Sequence, residues 1–212
     1  MHNFLPTFCK DNFFDEPDKI INLANEVSYE QVEVISGFRS TELQNIDKDL
    51  NKYINNKILK LVYPSFNFKT GNNVQFSART YFQKSDADLN DGWVHIDGEA
   101  LLTAIIYLTR DNTSGTSLFS LKKEYVRPDF DVGNIKYDYF KNKNKYSNKD
   151  KKKVFEKKLE HNNHFIKDVN FAGRFNRMVC FDSKQWHAAE VCDKERLVIV
   201  SFIGNLKQSD IK

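Results

Sequence analysis

Apolar residues recur at three- and four-residue steps up to about Leu61 and at two-residue steps over most of the remaining chain, so the sequence changes from helix to strand partway along. Asp15-Glu16-Pro17 places an acceptor and a proline where a helix starts, and Ile20, Ile21, Leu23, Ala24 and Val27 form one apolar stripe behind it. A second helix is predicted after Ser40 or Thr41, with Leu43, Ile46, Leu50, Ile54, Ile58 and Leu61 as the face packed onto something flat. From Ser65 the period is two: Phe66-Asn67-Phe68, a Thr70-Gly71-Asn72-Asn73 turn, then a long alternating run over 74–83. Further strands are predicted at 93–97, 101–109, 117–121, 178–181, 186–191 and 197–203, with no helical crossovers between most of them. Many short strands at this spacing imply a mainly β fold, an antiparallel barrel or sandwich flanked by the N-terminal helices.

A lysine- and asparagine-rich stretch over 136–158 interrupts the pattern. Its composition cannot bury a core, so it is read as an insertion between strands, a flap beside the barrel with a short surface helix over 147–159 carrying Val154, Phe155 and Leu159. The organisation expected is one domain over 1–212, helical over 1–62 and barrel over 65–204.

Composition narrows the functions open to this fold. A hydrophobic fraction of 40% with 18 phenylalanines fits a folded protein with a ring-rich core. Thirty-two basic and 29 acidic residues give a net charge of +3, too balanced for a surface that relies on phosphate contacts, so nucleic acid is not the expected partner. Cys9, Cys180 and Cys192 lack metal-type spacing, and no basic stretch leads into an apolar signal core. No apolar run approaches the roughly 20 residues that cross a bilayer. A reducing cytoplasm and no membrane are expected.

His95 and Asp97 are separated by one residue, which on a strand turns both side chains to the same face. Alone, a His-x-Asp pair is more often an ordinary hydrogen-bonded pair than a metal site. Of the five histidines, His187 is the other one embedded in strand-like sequence. Two imidazoles and one carboxylate on one side of a metal leave positions open, the arrangement that non-haem Fe(II) oxygenases require, whereas zinc takes a fourth protein ligand or a single water. Arg196, nine residues after His187, begins an apolar strand. A guanidinium there needs a carboxylate, which either a dicarboxylate cosubstrate or a protein acid such as Glu190 or Asp193 could supply.

Five segments then occur in one order: Phe76-Ser77-Ala78-Arg79-Thr80-Tyr81, Trp93-Val94-His95-Ile96-Asp97, Thr103-Ala104-Ile105-Ile106-Tyr107-Leu108-Thr109, Gly115-Thr116-Ser117-Leu118-Phe119, and Val179-Cys180-Phe181-Asp182 leading to His187 and Arg196. Over about 74–204 they resemble the iron- and 2-oxoglutarate-dependent dioxygenases, most closely the prolyl-hydroxylase-like branch. The resemblance implies a double-stranded β-helix (a jelly roll, cupin-like) in which His95, Asp97 and His187 hold Fe(II) and Arg196, with Tyr107 and Tyr81, contacts 2-oxoglutarate. It implies oxidation of an organic substrate with O₂, releasing succinate and CO₂, with ascorbate as an accessory. The substrate would be a peptidyl residue such as proline, a free amino acid or another small molecule. Two departures bear on the substrate: Thr116 stands where the family's turn has a second glycine, and the insertion enlarges the stretch from Gly115 to His187.

Alternation adds pocket candidates. Gln75, Ser77, Arg79, Tyr81 and Gln83 share one face, so a wet pocket lined by Arg79 and Tyr81 is expected, with core packing or surface exposure the competing reading. Arg196, Val198, Val200 and Phe202 share a face that would floor the cosubstrate site, and Trp93 projects on the side of His95 as a substrate wall or a core ring. The rival to an enzyme is a cupin-like barrel that binds metal or ligand without turnover. Arg196 with Tyr107 speaks against it, because a structural metal has no use for a carboxylate clamp.

Overall fold

Pro17 opens a helix as the sequence predicts, its fixed φ suiting a position whose amide would have no helical partner. The computed structural model describes residues 5–32, 37–63, 74–85, 92–98, 100–110, 113–124, 132–142, 145–190 and 194–208. Within them the elements are β1 (Phe8–Lys10), α1 (Pro17–Glu26), β2 (Glu30–Gln31), β3 (Phe38–Arg39), α2 (Leu43–Ile46), α3 (Lys48–Val62), β4 (Val74–Ser85), β5 (Leu102–Tyr107), β6 (Thr113–Leu121), α4 (Val132–Asn142), α5 (Asn148–Asn162), β7 (Phe165–Gly173), β8 (Met178–Asp182), β9 (Trp186–Ala189) and β10 (Arg196–Gln208). The predicted segment 66–68, the turn at 70–73, and Val191, Cys192 and Asp193 lie outside the described residues.

The single helix expected after Thr41 is two. Asp47 leaves helical geometry (φ −147°, ψ 98°), and its carboxylate accepts the Leu50 amide at 2.9 Å. It therefore caps α3 instead of continuing α2, the position where a short acidic side chain stabilises a helix by about 1 kcal/mol.

Two antiparallel sheets make the double-stranded β-helix, one of seven strands in the order β1-β8-β5-β10-β4-β3-β2 and one of three in the order β7-β6-β9. Strand β10 is the spine of the large sheet: Val200 faces Tyr81 on one side and Ile105 on the other. Because side chains alternate, each inner strand has two buried faces. Phe82, Leu102, Ala104, Ile106, Cys180 and Ile199 meet Ala24, Leu43, Ile54, Ile58 and Leu59 from the bracing helices, while Tyr107, Val179, Phe181 and Val198 meet Leu118 of the small sheet inside the barrel. Among the described residues no helix is long and apolar enough to cross a membrane.

Two further expectations change. Residues 93–97 form no strand ladder, only one bridge, in which the amides of His95 and His187 each donate to the other's carbonyl at 2.9 Å. Side chains of α5 supply the missing partners: Asn162 accepts the Val94 amide at 3.1 Å and donates to the Gly92 carbonyl at 2.9 Å, and Nε2 of His161 donates to the Val94 carbonyl at 2.7 Å. Backbone groups removed from water need such partners, whichever element provides them.

The insertion, expected as a flap with one short helix, is two helices beside the barrel. Phe155 and Leu159 are 48% and 47% exposed, in keeping with a surface helix, but Phe140 is buried and His161 is 3% exposed, so both helices pack toward the chamber. Strand β7 was not predicted, because this edge strand has only its two end residues buried and hence no apolar alternation to read.

Candidate active site

Strand register brings the two candidate ligand segments together. His187 on β9 lies opposite Leu118 on β6 and across the bridge from His95, and Asp97 is tied to the end of β8 by the hydrogen bond its backbone N–H donates to the Ser183 carbonyl at 2.8 Å. One donor atom from each of His95, Asp97 and His187 lies within 4.8 Å of the other two. Nε2 of His95 is 3.8 Å from Oδ1 of Asp97, and Nε2 of His187 is 3.3 Å from Oδ2.

The surroundings orient these donors. Nδ1 of His95 donates to the Trp93 carbonyl at 2.7 Å and Nδ1 of His187 to the Gln185 carbonyl at 2.8 Å, which leaves both Nε2 lone pairs facing the carboxylate. Thr103 donates to Oδ2 of Asp97 at 2.6 Å and is itself in contact with the Ser183 hydroxyl at 2.9 Å. Burial, the Lys136 ammonium and the His187 ring hold the His95 imidazole well below its ordinary value, so it is neutral and able to ligate. Burial alone would raise Asp97, but the two imidazoles and the Thr103 hydroxyl outweigh it and keep the carboxyl low, hence ionised. Two imidazoles and a carboxylate, convergent and held from behind, fit a first-row divalent ion with open positions.

These residues border a cavity of about 110 Å³. Arg196, 4% exposed, lines it, and its Nη1 donates weakly to the Gly115 carbonyl at 3.4 Å. Glu190, one of its expected partners, instead takes the Ser117 hydroxyl and Lys167. Gly115 has no room for a side chain, since a Cβ would fall 1.7 Å from the Phe171 carbonyl oxygen. Thr116, where the second glycine of the turn was expected, turns its hydroxyl to that of Tyr107 at 2.7 Å and also lines the cavity. Tyr107 itself is fully buried behind Thr116. A guanidinium and a hydroxyl at one end of a cavity with imidazoles and a carboxylate in its wall can hold a dicarboxylate against a metal.

Of the other predicted residues, Trp93, Val200 and Phe202 line the cavity, Trp93 being 3% exposed. Tyr81 and Arg79 do not. They share the inner face of β4, but Arg79 is exposed, and the Tyr81 hydroxyl donates to Glu42 at 3.1 Å. The reason is Arg39, which sequence reasoning missed: its guanidinium carbon sits 5.3 Å from the ring centres of both Tyr81 and Phe202, between Tyr81 and the chamber, and its Nε donates to Gln83 at 2.9 Å. Strand β3 reaches that position because Gly37 (φ +150°) lets it run against β4, where a Cβ would lie 2.1 Å from the Lys84 carbonyl oxygen. Thr103, Lys136 and Phe140 were also missed. Thr103 shares the face of Tyr107 and was legible by alternation, whereas nothing local marks Lys136 among so many lysines.

Solved structures share this architecture. A prolyl hydroxylase from Trichoplax adhaerens, in complex with a hypoxia inducible factor oxygen degradation domain peptide fragment, matches with a TM-score of 0.54 at 11% identity over 95% of this chain and 84% of its own. An oxidoreductase of the 2OG-Fe(II) oxygenase family from Burkholderia pseudomallei matches at 0.55 and 13% over 96% and 86%. HygX from Streptomyces hygroscopicus, with nickel, 2-oxoglutarate and hygromycin B bound, matches at 0.56 and 9% over 93% and 82%. At such identities the likeness establishes the fold. No curated protein sequence matches the chain. A family model does, across residues 3–205, and by that match the chain belongs to the family of unknown function DUF6445.

Proposed function

We propose that the protein is an Fe(II)- and 2-oxoglutarate-dependent oxygenase that hydroxylates an organic substrate. The reaction balances as substrate C–H, O₂ and 2-oxoglutarate giving substrate C–OH, succinate and CO₂, with one oxygen atom entering each organic product. The observation that carries the reading is the convergence of His95 Nε2, His187 Nε2 and the Asp97 carboxylate within 4.8 Å, each imidazole fixed at Nδ1 by a backbone carbonyl, in the wall of a cavity that Arg196 also lines.

His95, Asp97 and His187 would hold the iron, which supplies O₂ activation when bound. Arg196 would receive the carboxylate of 2-oxoglutarate remote from the metal, with the Thr116 hydroxyl beside it and Tyr107 fixing that hydroxyl. Thr103 keeps the Asp97 carboxylate turned toward the imidazoles. Trp93, Phe140, Val200 and Phe202 exclude water from the chamber. Substrates of the peptide and small-molecule kinds named for the structural neighbours both fall within this chemistry.

Anaerobic addition of Fe(II) and 2-oxoglutarate should produce a weak visible absorption band that needs both, and air should then release succinate. With iron bound, absence of both signals would leave a barrel that binds metal without turnover.

A further inference from the structure

The two ends of the cavity differ in a way the proposed reaction does not use. Arg196 and Phe202 both line it, yet they are six residues apart on β10, roughly 20 Å at the rise of a strand. Arg39 lies at the Phe202 end, 5.3 Å from that ring. Thr103, which hydrogen-bonds Asp97, stands in register with Phe202, so the carboxylate ligand is at this end as well. Lys136 enters from α4, close enough to Asp97, His95 and Arg39 for their charges to act on one another. Among the described residues neither Arg39 nor Lys136 forms an ion pair, and the only acid lining the cavity is Asp97, already committed to two imidazoles.

We propose that Arg39 and Lys136 form an anion pocket across the metal site from Arg196, and that the substrate is a small molecule whose carboxylate docks there. The assignment rests on the oxygenase reading of the same cavity. The charges of a divalent ion and of 2-oxoglutarate cancel, as do those of Asp97 and Arg196, which leaves the other two cations for the remaining occupant. Burying a cation unpaired is costly, and a neutral or cationic substrate would desolvate both. Arg39 is suited to this role, because its guanidinium is held against two rings and its Nε by Gln83. The rest of its fork is thereby preorganised for bidentate contact, while Lys136 adds a point charge. Phe140 and Phe202 offer an apolar wall for the carbon skeleton, and α4 across the chamber favours a free acid over a folded partner.

The test is calorimetric titration of the anaerobic protein, with and without Fe(II) and 2-oxoglutarate, using small amino and aliphatic carboxylic acids, each paired with its primary amide. At least one acid should bind and its amide should not. Arg39→Gln and Lys136→Met should each weaken that acid by roughly thirty-fold or more while leaving 2-oxoglutarate affinity unchanged, and Arg39→Lys should recover part of the loss. Melting curves of the variants verify folding, and the conservative Arg39→Lys keeps the test valid should Arg39→Gln fold poorly. Amides binding as well as acids, binding of acidic peptides alone, or a fall in 2-oxoglutarate affinity in Arg39→Gln would each overturn the proposal. Acid binding through Arg39 and Lys136 without the iron- and 2-oxoglutarate-dependent band would keep the pocket and sink the oxygenase, and the band without any preference for acids would do the reverse.

Discussion

Arg196 and Lys136 are both cations at one cavity, but removing them should have different consequences. Arg196→Met keeps an unbranched chain and deletes the fork, so 2-oxoglutarate affinity should fall thirty-fold to several-thousand-fold, which corresponds to about 2–5 kcal/mol for one side of a buried charge pair. Iron affinity should hardly move, because the three candidate ligand side chains are untouched; titration with iron and with 2-oxoglutarate checks this, and a wild-type 2-oxoglutarate affinity would remove Arg196 from the proposed site. Lys136 is instead a stability burden. Burial lowers its ammonium to about 8 from an ordinary 10.5, despite the pull of Asp97. Its folded pKa lies below its unfolded one, so the cost is fully present below pH 8 and disappears as pH rises from about 8 to 10.5. Lys136→Met should therefore melt above wild type at pH 7, with the gap closing toward pH 10.5, in melting curves at both values. Arg39 shows why such residues escape a sequence reading: it comes from a two-residue strand with no periodicity, and its importance lies in what β4 and β10 place around it.

Among the elements, β4, β5, β8 and β10 of the large sheet were legible because helices cover one face and the chamber the other, which imposes alternation or an unbroken apolar run, as in β5, whereas β1, β2 and β3, of two or three residues each, are too short to show a period. The candidate ligand set was legible for a related reason, since His95, Asp97 and His187 each sit in strand-like sequence although 93–97 joins the barrel by one bridge alone. What stayed hidden was the partner of that segment. Lysine-rich composition describes the outer face of α5, not Asn162 and His161 at its last turn, whose contacts lie 67–70 residues away in sequence. Asn162→Ala should cost about 1–3 kcal/mol in urea unfolding, the range for stranding buried backbone groups. It should also weaken iron binding, because the same backbone carries His95. A variant with unchanged iron affinity would show that the His187 bridge suffices to hold the ligand.

For the whole molecule, two packed regions do separate jobs. The core between the helices and the large sheet contains none of the three candidate metal ligands, so ligand variants such as His187→Ala should lose metal while keeping a cooperative unfolding transition. Metal should in turn stabilise wild type by about 2.7 kcal/mol when present at a hundred times its dissociation constant, an increment that chelation abolishes and calorimetry reads. The bridge and the clamp on residues 92–95 also set an order of events in time. The Val94 amide is guarded by a side chain of α5 and the His95 amide by the carbonyl of His187. A brief departure of α5 exposes the first to deuterium and leaves the second protected, so two neighbouring amides should exchange on separate clocks, the faster one timing the loosening of α5 and the slower one the parting of His95 from His187.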